Sequence, residues 1–392
     1  MMYCTIIAQN YLAQALALGA SLLVHEPTNH LFTLLIDGPA DLDGVEFPGN
    51  VTFGDPAMLD IDPRLLLNMK VYYDVVEFAT ALKPALLLKL LEADDQVVYL
   101  DPDTFLLSPL LELPTAIHDS PGILLTPHFL QPIPAESTYI SEVHNLTVGA
   151  YNLGFCAVSR KGRPFLKWWW DHLKAECLIY PLLGLFVDQK WVDVGTSLFP
   201  YQALRHPGYN VAVWNLHERP LVRKNGCIAI GISGEPLRLF HFSGFDANVP
   251  SELSSRLSIS TSGIRSSSLV LDSLCDEYAS VLREMQARTA LTVDYKYARD
   301  LDGRPLTTRL RRAYRTASLD EVLPSPFLPE HRAAFKTWRR RSSGRRLRNL
   351  GADAALALKY VLPDQYKRAV SVAPRTFRAT RKALLAGSRV RR

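Results

Sequence analysis

The stretch from Gln96 to Leu107 constrains the fold of this chain more than any other. Val97-Val98-Tyr99-Leu100 is an apolar run rich in β-branched and aromatic residues, the pattern of a strand buried on both faces. It stops at Asp101-Pro102-Asp103, two carboxylates separated by one proline. Open α/β sheets bind ligands just beyond the carboxyl ends of their strands. Two acids that close repel each other unless a cation lies between them. Magnesium and manganese take oxygen ligands and share one or two carboxylates with the phosphates of a substrate. Asp101 and Asp103 are therefore candidates for a metal-diphosphate site. The plainer reading is a β-turn, for which Asp-Pro-Asp is ordinary chemistry, and only partners elsewhere in the chain decide between the two.

The elements around that stretch indicate an α/β fold. Residues 3–8 read as a strand, 10–24 as a helix whose small residues suit packing on a sheet, 31–36 as a second strand and 51–53 as a short third. Helical segments fill 65–91, with a loop at Leu82-Lys83-Pro84 feeding a new helix that starts at the proline. Further strands are expected at 121–127, 151–158, 209–214 and 237–242, and a functional loop at 131–144. Strand and helix alternating in this order imply a largely parallel sheet covered on both faces. The helix at 165–177 carries Trp168, Trp169 and Trp170; three consecutive indoles cannot all face one side, and core packing outweighs a sugar-stacking role. Three regions follow: an α/β domain at 1–250, a mostly helical extension with a Pro-rich linker at 251–330, and a basic, helical or partly disordered tail at 331–392. Within the extension, 251–268 is serine-rich and expected to be mobile, and 273–288 reads as a helix.

Five scattered cysteines without a Cys-x-x-Cys spacing fit a reducing compartment and argue against a disulfide framework or zinc cluster. Residues 1–8 lack a basic n-region and read as a strand, not a signal peptide, and no stretch is long and apolar enough to cross a bilayer. A cytoplasmic protein is the expectation. The net charge of +5 hides an asymmetry: from His331 onward there are eighteen Lys and Arg against two acids, Asp353 and Asp364. A tail so basic suits an anionic membrane surface, at about 1 kcal/mol per basic residue close to it. Residues 332–392 are thus candidates for peripheral attachment at the inner face of a membrane. Phosphate contacts alone would also give salt-sensitive nucleic-acid binding, the less favoured partner, and a solvated tail is the plain alternative.

Four separated features carry chemistry in combination: Asp101-Pro102-Asp103; Asn152-Leu153-Gly154, an amide beside a residue that allows close backbone approach; Asp188-Gln189; and His241-Phe242-Ser243-Gly244, where an imidazole compatible with manganese ends a strand before a small-residue loop. Each has its ordinary structural reading: a turn for Asn-x-Gly, a helix cap for Asp188, a hydrogen-bonded strand end for His241. Together and in this order they resemble the GT-A-fold glycosyltransferases, of the glycogenin and bacterial lipopolysaccharide galactosyltransferase type, over residues 3–246.

That resemblance implies a Rossmann-like, mostly parallel sheet and transfer of a sugar, with retention, from a nucleotide sugar, UDP-linked, to a glycan, lipid-linked or other cell-envelope acceptor. It implies that Asp101, Asp103 and His241 hold Mn²⁺ (or Mg²⁺) against the donor diphosphate. Thr5, Ala8, Asn10 and Tyr11 would bind the base, with Tyr11 lying against it. Lys83 would reach the donor, Asn152, Asp188 and Gln189 would line the sugar pocket, with Asp188 and Gln189 acting in catalysis, and Gly244 would belong to the phosphate loop. The chain departs from the family where Phe245-Asp246-Ala247 replaces Lys-Pro-Trp, leaving Lys224 or Arg238 as substitutes for the missing lysine. Two other classes compete. A sugar-phosphate nucleotidyltransferase shares the sheet and the metal, but begins with a Gly-rich basic phosphate loop that residues 3–10 lack. A non-catalytic glycan- or membrane-binding protein would act through the tail.

Overall fold

The computed structural model describes residues 1–38, 47–137, 139–257, 259–289 and 294–365, so the last part of the basic tail lies outside the described residues. The chain opens with β1 (Met2–Ile7), α1 (Leu12–His25), β2 (Leu31–Leu35) and β3 (Val51–Gly54). Helices α2 (Pro63–Tyr72) and α3 (Val75–Leu90) lead into β4 (Gln96–Leu100) and then β5 (Thr104–Leu106). Next come α4 (Leu113–Asp119), β6 (Ile123–Pro127), α5 (Val143–Val148), β7 (Tyr151–Ser159) and α6 (Arg163–Glu176). Short strands β8 (Ile179–Tyr180) and β9 (Leu185–Phe186) precede α7 (Gln189–Leu198). They are followed by β10 (Gln202–Ala203), β11 (Val211–Ala212), β12 (Leu221–Lys224), β13 (Cys227–Ile230) and β14 (Leu239–His241). The last helices are α8 (Ser262–Ser266), α9 (Leu269–Thr289), α10 (Thr308–Ser318), α11 (Arg332–Arg341) and α12 (Ser343–Val361).

The expected α/β class is borne out. A seven-stranded sheet has the order β10-β6-β7-β4-β1-β2-β3. All its pairings are parallel except those of β7, which runs antiparallel to both β4 and β6. The focal strand is central: Val97, Val98, Tyr99 and Leu100 are all buried, as an apolar run without alternation requires. A second, three-stranded sheet has the order β11-β14-β5. Its antiparallel register sets His241 opposite Thr104, one residue past Asp103. A backbone bond from Phe242 N to Asp103 O, 2.8 Å, closes the pairing. Helix α1 covers the parallel sheet with its small residues inward; a Cβ on Gly19 would meet Val51 Cγ2 at 2.4 Å. On its other side α9 packs, with Tyr278 stacked on Phe242 at 3.8 Å between ring centroids. Burying side chains of that size stabilises this packing by about 1.5–3 kcal/mol each.

Three local expectations need correction. Helix α3 runs through Pro84 without the loop expected at 82–84. A proline inside a helix costs about 3 kcal/mol, but Phe78, Ala81, Leu82, Leu86 and Leu87 are fully buried on either side of it, and their packing outweighs that cost. Of the strand expected at 209–214 only Val211 and Ala212 pair, because Asn210 turns the chain with φ +53. In the serine-rich stretch expected to be mobile, Leu253 and Ser254 are tied to Thr261, whose hydroxyl accepts from Leu253 N (2.8 Å) and Ser254 N (3.0 Å). Of the three indoles, Trp169 is fully buried and Trp168 and Trp170 are half-buried, in keeping with core packing.

The chain divides into two compact units: Met1–Ile61, Glu77–Ile179 and Leu185–Tyr295 form the first; Asp62–Val76, Tyr180–Gly184 and Lys296 onward form the second. The second is organised on Arg311, whose buried guanidinium donates to the carbonyls of Val71 (2.8 Å), Tyr73 (2.6 Å) and Tyr297 (2.6 Å). A cation there complements the carboxyl end of α2. Among the described residues no helix is long and apolar enough to cross a membrane.

Candidate active site

The focal strand delivers Asp101 and Asp103 through a tight turn. Thr104 donates to the Asp101 carbonyl from both its backbone N (3.1 Å) and its hydroxyl (2.7 Å). The turn and the candidate ligand cluster are thus one structure, since the turn aims both carboxylates at His241. Imidazole Nε2 lies 3.2 Å from Asp103 Oδ1 and 3.9 Å from Asp101 Oδ2. One ligand atom from each of the three residues falls within 4.8 Å of the others.

Second-layer contacts fix the geometry. His241 Nδ1 donates to Asn210 Oδ1 at 3.1 Å, which leaves Nε2 as the nitrogen facing the carboxylates. The amide of Asn210 has that orientation because its Nδ2 donates to Thr126 Oγ1 (2.8 Å) and Asn152 Oδ1 (3.0 Å). Trp214 packs edge-on against the imidazole, 5.2 Å between ring centroids. Tyr99 donates its hydroxyl to Asp101 Oδ1 at 2.9 Å. Burial works against charge on both Asp103 and His241, yet each is the other's partner: the carboxyl is held below its ordinary value and the imidazole is pushed above its own. A histidine with its outer nitrogen tied to an amide and its inner nitrogen beside two carboxylates is a donor set that fits a divalent cation.

Behind this cluster lies a buried ion pair. Lys83 Nζ is 2.7 Å from Asp188 Oδ2, with side chains only 1% and 2% exposed. The ammonium also donates to Leu153 O at 3.0 Å and sits 4.2 Å from the centre of the Tyr99 ring. Burial pushes the Asp188 carboxyl up even with Lys83 beside it; the Lys83 ammonium, disfavoured by burial, is held up by Asp188. Asp188 precedes α7, and Gln189 begins it. Gln189 Nε2 donates to Val148 O at 3.0 Å, and its Oε1 makes long contacts of 3.5 Å with Asn152 Nδ2 and Leu153 N.

Asn152 links the two groups. Its Oδ1 accepts from Gly154 N (2.9 Å) and Asn210 Nδ2, while its Nδ2 faces His128 Nε2 at 3.3 Å. Gly154 is glycine for a steric reason: a Cβ there would stand 2.4 Å from His241 Cε1 and 2.8 Å from Asn152 Oδ1. At the amino end of the chain, Thr5 is fully buried within β1 and Ala8 is buried at its end. Tyr11 is half-buried and feels the charges of Asp103, Asp101, Arg256 and Asp246, whereas Asn10 is exposed. Gly244, φ +74, turns the chain after β14. Neither basic residue singled out as a substitute for the missing lysine is placed to replace it. Arg238 is bound to Glu112 Oε1 at 2.6 Å, and Lys224 is exposed on the β12–β13 hairpin.

Sequence reasoning missed Asn210, Tyr99 as the orienter of Asp101, and His128. Asn210 carries no local mark beyond being a common turn residue; its role depends on β11 pairing with β14, which brings it under His241.

No protein-family model matches the chain. Among solved structures it is similar to the galactosyltransferase LgtC in complex with donor and acceptor sugar analogues, at 15% identity over 76% of this chain and 98% of that one, TM-score 0.40. It is also similar to the glycosyltransferase GlyE of Streptococcus pneumoniae TIGR4, at 13% identity over 75% of this chain and 65% of that one, TM-score 0.41. At this level of similarity the chemistry has to be read from the site's own residues. The sequence relationship is stronger: over 254 residues the chain is 30% identical to the uncharacterized protein YfnF of Bacillus subtilis (strain 168), covering 62% of this chain and 81% of that protein. The chain is a member of the YfnF family.

Proposed function

We propose that the protein is a GT-A-type glycosyltransferase that moves a sugar from a nucleoside diphosphate sugar, UDP-linked, to a glycan, lipid-linked or other cell-envelope acceptor, with retention. The observation that carries this reading is the triad of Asp101, Asp103 and His241 beyond the carboxyl end of β4, with the imidazole nitrogen already oriented by Asn210. Asp101, Asp103 and His241 would hold Mn²⁺ or Mg²⁺, which when bound supplies positive charge to the departing diphosphate.

The chain's own residues supply the rest. Tyr11, half-buried beside the triad, suits the base side of the donor. Asn152, Asp188 and Gln189 suit the sugar side, where an oxocarbenium-like species needs a negative or polar neighbour. Asp188 is buried and paired with Lys83, which favours a stabilising role for it over a covalent one. The acceptor hydroxyl then attacks on the face from which the diphosphate leaves, the sugar–phosphate bond breaks, and the departing phosphate takes the hydroxyl's proton.

The test is product analysis with a panel of nucleotide sugars and manganese. Release of nucleoside diphosphate, lost in Asp103→Ala, is expected; release of pyrophosphate from a nucleoside triphosphate would make the protein a nucleotidyltransferase and overturn the proposal. Asp188→Asn is expected to lower turnover far more than donor binding.

For the basic C-terminal segment we propose a peripheral contact with an anionic membrane. Leu347, Tyr360 and Val361 on α12 are exposed, at 69%, 64% and 74%, on a helix rich in arginine. Flotation with anionic vesicles is expected to recover the full chain and not a form ending at Arg332; equal recovery of both would refute the contact.

A further inference from the structure

The turn after His241 carries no Lys or Arg of its own from Phe242 to Ser255, and the structure brings a cation to it from the next segment. Gly244 turns the chain with φ +74, and a Cβ on it would stand 2.8 Å from Arg256 Cγ. The stem of Arg256 therefore lies directly on the turn that leaves the triad. The segment bearing Arg256 is fastened to that turn by three bonds: Ser254 Oγ to Ser243 O (2.6 Å), Ser255 N to Gly244 O (2.9 Å) and Ser255 Oγ to Gly244 O (3.0 Å). Its own fold is closed by Ser254 Oγ accepting from Arg256 N at 3.1 Å and by Thr261, which Glu252 holds through its hydroxyl at 2.8 Å.

Arg256 is exposed, and its guanidinium has no carboxylate partner among the described residues. It is nevertheless close enough to be among the charges acting on Asp103, His241 and Tyr11. Between His241 and Arg265 it is the only Lys or Arg in the sequence. A planar guanidinium with free donors, on a stem packed against the turn that leaves a candidate metal triad, matches the bidentate geometry of phosphate.

We propose that Arg256 binds the diphosphate of the nucleotide ligand, presented by the serine-fastened residues 254–256. This inference rests on the metal-diphosphate reading of the triad and names a residue that this reading does not require. Charge would reach the phosphates from two sides, from the triad below and from a guanidinium arriving over Gly244.

The experiment is calorimetric titration of the full chain with UDP, GDP and ADP, and with the matching monophosphates, in the presence of manganese. For the diphosphate that binds most tightly, Arg256→Ala is expected to weaken binding about ten- to hundredfold, the range of a charged hydrogen bond. Arg256→Lys should restore part of the loss and Arg256→Glu should deepen it, while the monophosphate is affected much less. Manganese alone should bind Arg256→Ala as it binds the wild type, which shows that the variant retains its folded triad. Equal diphosphate affinity of wild type and Arg256→Ala would overturn the role of Arg256 and leave the triad standing. Failure of the wild type to bind any of the three diphosphates in a metal-dependent manner would overturn the site reading itself.

Discussion

His241 Nδ1 lies 3.1 Å from Asn210 Oδ1, and that contact decides which face of the imidazole meets Asp101 and Asp103. Removing an outer partner of a ligating histidine typically costs about 10- to 100-fold in metal affinity. Asn210 has φ +53, so glycine is the substitution that deletes the amide without adding backbone strain. Asn210→Gly is expected to weaken manganese binding by that factor, measured by electron paramagnetic resonance of free Mn²⁺. Undiminished affinity would show that Asn210 does not orient the ligand.

Gly154 offers a purely steric test of the same triad. Its added Cβ would fall 2.4 Å from His241 Cε1 and 2.5 Å from Nδ1, with the imidazole walled in by Trp214. Gly154→Ala is expected to displace His241 and abolish metal binding, while Gly263→Ala, where a Cβ meets nothing within 4 Å, leaves it intact. Metal binding by Gly154→Ala at wild-type strength would mean that His241 is not a ligand.

The Lys83–Asp188 pair gives a prediction about stability. Removing one member of a buried pair leaves an uncompensated charge and costs about 3–5 kcal/mol, whereas replacing both with apolar groups is often neutral. Lys83→Met should therefore lower the melting temperature sharply, and Lys83→Met combined with Asp188→Leu should recover much of the loss. A double variant as unstable as the two single losses added together would contradict this.

His128 makes stability depend on pH. Burial, with His241 and His144 as like charges, lowers its pKa from 6.5 to about 4. The unfolded chain then takes up a proton at a pH where the folded one does not, so stability falls as pH drops from 6.5 towards 4, by up to about 3 kcal/mol from this group. His128→Gln keeps an acceptor for Asn152 and cannot titrate there. The difference between wild-type and variant stability should change across that window and be flat above it; a difference independent of pH would remove His128 from the account.

How much of this was legible in the sequence depended on whether a residue's role was local. Asp101 and Asp103 are announced by the strand before them, and His241 by the strand and small-residue loop around it. The α/β class followed from the alternation of elements, because a parallel sheet has to return through helices. The role of Asn210 was not legible, since it arises from the pairing of β11 with β14 and from a left-handed turn. The family resemblance implies that Lys83 reaches a donor; only the packed structure shows it bound to Asp188 and Leu153. Pro84 misled for the opposite reason, a strong local signal overruled by burial on both sides.

The most direct test of a metal-dependent nucleotide-sugar site is a thermal-shift screen of the full chain against nucleotide sugars, with and without Mn²⁺, run in parallel on Asp103→Ala. At least one nucleotide sugar should raise the melting temperature of the wild type only when manganese is present, and the same combination should leave Asp103→Ala unmoved. An equal shift in the absence of metal, or in Asp103→Ala, would contradict the assignment of Asp101, Asp103 and His241.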